Sequence, residues 1–142
     1  MLQLNAQQIK KPNIILFLID DMGWMDSSVP FVDSIGFLNK QFRTPNLELL
    51  AKQGVKFTNA YSNSVCTPTR TSILTGMNVT HHGVTNWTSP VKNNTTDAKD
   101  TQFNPAPWNI NGVDINTITP YPKLLKQAGY YTIHVGKAHW GS

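Results

Sequence analysis

The chain has 142 residues, 39% of them apolar and 14% charged, against about 25% charged in an average soluble sequence. That length suits one domain, and no apolar run approaches the ~20 residues that a membrane helix needs. A single cysteine excludes an internal disulfide framework and CxxC-type zinc or redox sites, while 12 basic against 8 acidic residues give a net charge of +4 without the clustered basic run of a nucleic-acid arm.

The opening residues 1–11 (MLQLNAQQIKK) contain no apolar segment of the signal-sequence kind. Residues 13–19 (NIILFLI) are apolar almost throughout and end in Asp20-Asp21; a short unbroken run of this kind predicts a strand buried on both faces of a parallel sheet. Residues 23–42 show no period and read as loop. A helix is expected next, with Thr44 as N-cap, Pro45 in its first turn, Leu47, Leu50 and Ala51 on one apolar face, and Gly54 as a left-handed stop. Residues 55–61 (VKFTNAY) alternate as a strand does. Residues 66–76 (CTPTRTSILTG) read as a turn entering a short helix that Gly76 ends. From 84 to 119 the chain is rich in Asn, Thr and Pro and reads as a long irregular excursion. A last helix is expected from Thr119-Pro120 to Gly129, with Tyr121, Leu124, Leu125 and Ala128 on one face, then a strand over 130–135 (YYTIHV) leading to Lys137 and His139. The order is that of an α/β protein with a mostly parallel sheet flanked by helices, in one domain with no second.

Three polar groups follow expected strands, and in open α/β sheets ligands bind at the carboxyl ends of strands. Asp20-Asp21 offers oxygen donors to a hard divalent cation, or else caps a turn and is solvated. Cys66 falls at a helix N-terminus, where free N–H groups and the helix dipole favour an anion. Arg70 lies four residues on, about one turn or ~5.4 Å along the axis, so its fork can fold back toward Cys66 and hold oxyanion oxygens. Cys66 itself is open to two readings, a small buried hydrophobe or a thiolate nucleophile. For His81-His82 structural hydrogen bonding is expected ahead of metal binding. His134 is expected as an inward or sideways strand residue; Trp87 and Trp108 either pack the long loop, which is the first expectation, or line a substrate mouth, where sugars stack on aromatics.

CTPTRTSILTG resembles the C-x-P-x-R signature of the sulfatases, in the alkaline-phosphatase-like superfamily. PNIILFLIDDMGW, TPNLELLAKQGVKFTNAYS, His82-Gly83-Val84 and LLKQAGYYTIHVGKAHWG agree in order, so the resemblance runs from Pro12 to Gly141. Ala138 and Trp140 depart from the family's usual GKWHLG, while Lys137 and His139 keep their places.

The resemblance implies the N-terminal part of a sulfatase catalytic domain, with an incomplete alkaline-phosphatase-like core. Cys66 would be converted to formylglycine by a formylglycine-generating or equivalent maturation enzyme, and its hydrated aldehyde would be the nucleophile. Asp20, Asp21 and the residue derived from Cys66 would bind calcium, with magnesium as the alternative ion. Arg70 would hold the modified residue, Lys137 would neutralise a sulfate oxygen, and His139 would hydrogen-bond the formylglycine hydroxyl and take its proton. The family's remaining ligands, an Asp and an Asn, and a further His and Lys lie in a C-terminal half that these residues do not include. The implied reaction is hydrolysis of a small-molecule or carbohydrate sulfate ester, without nucleic acid or membrane span. The alternatives are a phosphonate or phosphate monoester hydrolase of the same superfamily and a catalytically incomplete anion-binding fragment. Family members are often exported, to the periplasm or outside the cell, but no localisation is readable here.

Overall fold

The helix that opens at Cys66 is the hub of the molecule. A computed structural model describes residues 10–88, 112–114 and 116–140. Its helices in chain order are a 3₁₀ turn at Leu38–Gln41, α1 at Pro45–Gln53, α2 at Cys66–Thr75, α3 at Val79–His82 and α4 at Tyr121–Gln127. Helix α2 packs against both α3 and α4. Its buried positions are Thr67, Pro68, Arg70, Thr71 and Leu74, so the face it turns inward is largely polar. Gly76 closes it with φ 70°, a left-handed cap that a residue with a Cβ adopts only at a cost. Asn78 then caps α3 by accepting the His81 N–H on its side chain.

Around this hub the buried apolar residues are Val29, Leu74 and Val84. Polar anchors do the rest of the fixing. The amide of Asn39 donates to the Ser27 carbonyl at 2.9 Å and its oxygen accepts from Gly36 N–H at 3.0 Å, which pins the loop before α1. Thr44 does not cap α1 with its side chain; its hydroxyl is bonded to Ser28 instead, at 2.7 Å. Gly54 ends α1 with φ −114° rather than in the left-handed region. In α4 the N-cap is Pro120, not Thr119, and no residue of α1 or α4 is fully buried.

The sheet expected from the sequence is not formed among the described residues, which contain no strand and one isolated bridge position at Gly112. The three segments expected as strands lie open: Ile15 is 87% exposed, Val55 81% and Tyr131 90%. A strand exists only when a neighbour's backbone completes its hydrogen-bond ladder, so apolar patterning supplies the tendency and a partner supplies the structure. The expected apolar face of α1 is only partly covered: Leu47 and Ala51 are half-buried, while Leu50 is 65% exposed. Most of the excursion over 84–119, Trp108 included, lies outside the described residues. Among the described residues no helix is long and apolar enough to cross a membrane.

Candidate functional site

Each polar group of the site is carried by a local backbone device. Asp20 and Asp21 form a tight turn after residues 13–19, and Asp21 takes φ 56°. His139 takes φ 51°, just past Gly136 at φ 96°. Asp21 and His139 are the two non-glycine residues with positive φ among the described ones. Left-handed backbone costs an ordinary residue energy and persists where the surroundings impose it, which is common at working sites. Cys66 is the first residue of α2, after Val65 in extended conformation and with no side-chain cap on the helix end. Pro68 has no N–H and Thr69 N–H donates to the Val65 carbonyl, so Cys66 and Thr67 carry the N–H groups of that turn that have no helical partner.

The side chains meet. Arg70, 7% exposed, donates from Nη2 to Asp20 Oδ1 at 2.8 Å and from Nη1 to the Lys137 carbonyl at 2.5 Å. Lys137 Nζ donates to Asp20 Oδ2 at 2.6 Å. Cys66 Sγ lies 3.3 Å from His139 Nδ1. A cleft of about 360 Å³ is lined by Asp21, Cys66, Trp87, Lys137 and His139. The acidic turn, the start of α2 and the Lys137–His139 turn thus converge on one rim, although the segments before them form no sheet. A larger cleft of about 580 Å³ opens between residues 13–18 and 130–136; it borders Asp20, Arg70 and Lys137 but reaches neither Cys66 nor His139. It is mainly the gap between two apolar segments whose backbones do not pair.

The electrostatics follow from these bonds. The Arg70 guanidinium, then the Lys137 ammonium, hold the Asp20 carboxyl below the usual range, so it is ionised at neutral pH. Asp20 in turn raises Lys137, with the Cys66 sulfur adding to the effect, and keeps the amine charged. Arg70 departs from expectation in one respect: its two terminal nitrogens are committed to Asp20 and the Lys137 backbone, and its Nε is buried without a hydrogen-bond partner. It joins the three chain segments of the site. Among the described residues no three His, Cys, Asp or Glu side chains are grouped as a metal ion by itself would require; Asp20 and Asp21 offer two carboxylates.

Behind the site, His82 is 2% exposed and performs the structural bonding expected of it. Val84 N–H donates to His82 Nδ1 at 3.1 Å, which requires the neutral ring with its proton on Nε2, 2.9 Å from Ser72 Oγ on α2. Burial lowers the tendency of His82 to take a second proton, against a smaller opposing effect of the Pro68 carbonyl. His134 is exposed, not inward, and its ring packs on Trp140 at 4.9 Å. Trp87 also corrects the expectation of packing: it is 57% exposed and stands on the rim of the cleft beside Cys66. Its position in a polar stretch just after the buried Val84 was the available signal, but only the fold brings that stretch to α2.

The family model described as Sulfatase matches residues 12–142. The chain belongs to the sulfatase family. Membership carries the α/β class of that family, although the described residues form no sheet. Among curated sulfatases, the chain is 37% identical over 130 residues to a protein named Sulfatase from Formosa agariphila, covering 92% of this chain and 23% of that one. It is 36% identical over 131 residues to human N-acetylgalactosamine-6-sulfatase, covering 92% and 22%. It is 32% identical over 132 residues to rat arylsulfatase G, covering 92% and 20%. The chain thus spans about a fifth of the length of the sulfatases it matches.

Proposed function

We propose that this chain carries the nucleophile-bearing part of a sulfate ester hydrolase, which converts R–O–SO₃⁻ and water to R–OH and sulfate. The observation that supports this most is the pairing of Cys66 with His139 at 3.3 Å in a cleft that also presents Lys137. The family match and the sulfatases named above support the reaction class.

In this reading Cys66 is the precursor of formylglycine. The aldehyde hydrate made from it would carry two hydroxyls. One would attack the sulfate sulfur as the S–O bond to the alcohol breaks and R–OH leaves; collapse of the other to the aldehyde would release sulfate, and water would restore the hydrate. His139 Nδ1 faces the Cys66 sulfur and holds or takes the hydroxyl proton. Lys137, kept charged by Asp20, offsets negative charge on the sulfate oxygens. Arg70 fixes Asp20 against the Lys137 turn, so the anion meets groups already in place.

The donor set fits a hard divalent cation in part. Asp20 and Asp21 are oxygen donors on one turn, and Asp20 is held ionised. A cysteine sulfur is a soft ligand poorly matched to calcium, whereas the hydrate made from it offers oxygen. Calcium held by Asp20, Asp21 and the converted Cys66 would supply Lewis-acid polarisation of a sulfate oxygen.

Mass spectrometry of the peptide containing Cys66 tests the assignment. Conversion of –CH₂SH to –CHO lowers its mass by about 18 Da, and Cys66→Ala in the mature enzyme is expected to abolish hydrolysis of aryl sulfates. An active enzyme with an unmodified thiol would overturn the formylglycine reading and favour thiolate chemistry. Faster turnover of an aryl phosphonate than of the matched aryl sulfate would favour the phosphonate or phosphate hydrolase instead.

A further inference from the structure

Trp87 has no role in the chemistry just described, yet it lines the same cleft as Cys66, Lys137 and His139. Its neighbours hold it in place. Three residues before it Val84 is fully buried and bonded to His82, and Thr88 just after it is 9% exposed. Its own backbone N–H donates to Asn86 Oδ1 at 2.8 Å. The indole is nevertheless 57% exposed and lines the same cleft as Cys66, Lys137 and His139. Asp21, Ser64 and Val65 complete the lining, so apart from the small Val65 side chain Trp87 supplies its apolar surface, and it alone supplies an extended flat one. Basic and nucleophilic groups suit the sulfate end of a substrate, whereas a flat π surface suits a ring presented face-on.

We infer that Trp87 is a specificity-determining residue that stacks against a ring-borne leaving alcohol, so that the enzyme favours sulfate esters of aryl or pyranose rings over those of flexible alkyl chains. This rests on the sulfate ester hydrolase reading above. The flat face of an aryl ring and the C–H face of a pyranose share the required chemistry.

The test compares kcat/KM of the mature enzyme and its Trp87→Ala and Trp87→Phe variants on phenyl sulfate, a monosaccharide 6-sulfate and a short-chain alkyl sulfate. Trp87→Ala is expected to lose roughly tenfold on the ring substrate, the scale of one aromatic contact, with little change on the alkyl sulfate and partial recovery in Trp87→Phe. Whichever ring ester shows the loss identifies the source of the ring. An equal loss on ring and alkyl esters, or no loss on either, overturns the inference while leaving the hydrolase reading intact. A second readout does not need turnover: phenyl sulfate should shield the Trp87 fluorescence, taken as wild type minus Trp87→Phe, from acrylamide quenching, and inorganic sulfate should not. Shielding without hydrolysis of any sulfate ester would sustain the stacking role and overturn the hydrolase reading. Absence of shielding by either ring ester would overturn the stacking role.

Discussion

Asp20 is the residue on which the charges of the site balance. Its two oxygens are shared between Arg70 and Lys137, at 2.8 and 2.6 Å. Because Arg70 and Lys137 lower the Asp20 pKa, the ion pairs are complete above the ordinary carboxylate range near pH 4 and are lost only as pH falls through the lowered value. Lys137 is shifted the other way, so its charge persists beyond the ordinary lysine value of about 10.4. The alkaline limb of a pH–rate profile should therefore not arise from Lys137 below about pH 10. Lys137→Ala in the mature enzyme is expected to lower kcat by roughly 10²–10³-fold, as loss of one preorganised group at a developing charge does. A kcat within a factor of two of wild type would remove Lys137 from the chemistry. The cysteine and the signature around it were readable from residue types alone. The commitment of Arg70 to Asp20 and to a backbone carbonyl 67 positions away was not, because a guanidinium has several partners in reach and the fold selects among them.

Helix α2 must hold Cys66 still, and it does so from its far side. Asn63 and His82 both bond Ser72 Oγ, at 3.1 and 2.9 Å, and His82 links that point to Val84. Burial depresses the His82 pKa, so the unfolded chain binds the extra proton first as pH falls. Its contribution is complete above the unfolded value of about 6.5 and declines as pH drops from there toward the lowered folded value. Thermal melts should accordingly show lower stability at about pH 5 than at about pH 7.5, and His82→Phe should flatten that difference. The same variant leaves Ser72 and Val84 N–H without the ring nitrogens, at a cost of about 1–3 kcal/mol. An unchanged pH dependence in the variant would show that another group titrates. The end of α2 at Gly76 was legible, because a terminal glycine is a local signal; the expected turn before the helix is instead its first turn, which opens at Cys66 and tolerates Pro68. Thr44 and Gly54 do flank α1 as expected, but the missing side-chain bond was not legible, since Thr44 had a competing partner in Ser28, and neither was the shift of the α4 caps to Pro120 and Ala128.

At the scale of the molecule, the described residues gather a site without a closed core. Their most strand-like segments are among the most exposed of them. The site is open in the same sense, because two carboxylates on one turn supply only part of the six to eight oxygens that calcium takes. This chain by itself is expected to bind calcium weakly, with little or no heat in titration calorimetry at tens of micromolar, a concentration well above the dissociation constant of a complete sensor-class site (~10⁻⁷–10⁻⁵ M). Tight binding by the chain alone would show that its own groups complete the shell.

Residue order by itself determined which chemistry was present: an acidic pair, a cysteine four residues before an arginine, and a lysine–histidine pair, each after a β-prone run. Those are local properties, fixed by side-chain type and spacing. Tertiary structure decided the rest: that Cys66 meets His139 across 73 positions, that Arg70 turns to Asp20, that Trp87 stands on the rim, and that the β-prone runs remain unpaired. Contacts of that range, and ladders that need a second backbone, depend on which segments become neighbours, and no single stretch of sequence encodes its own neighbour.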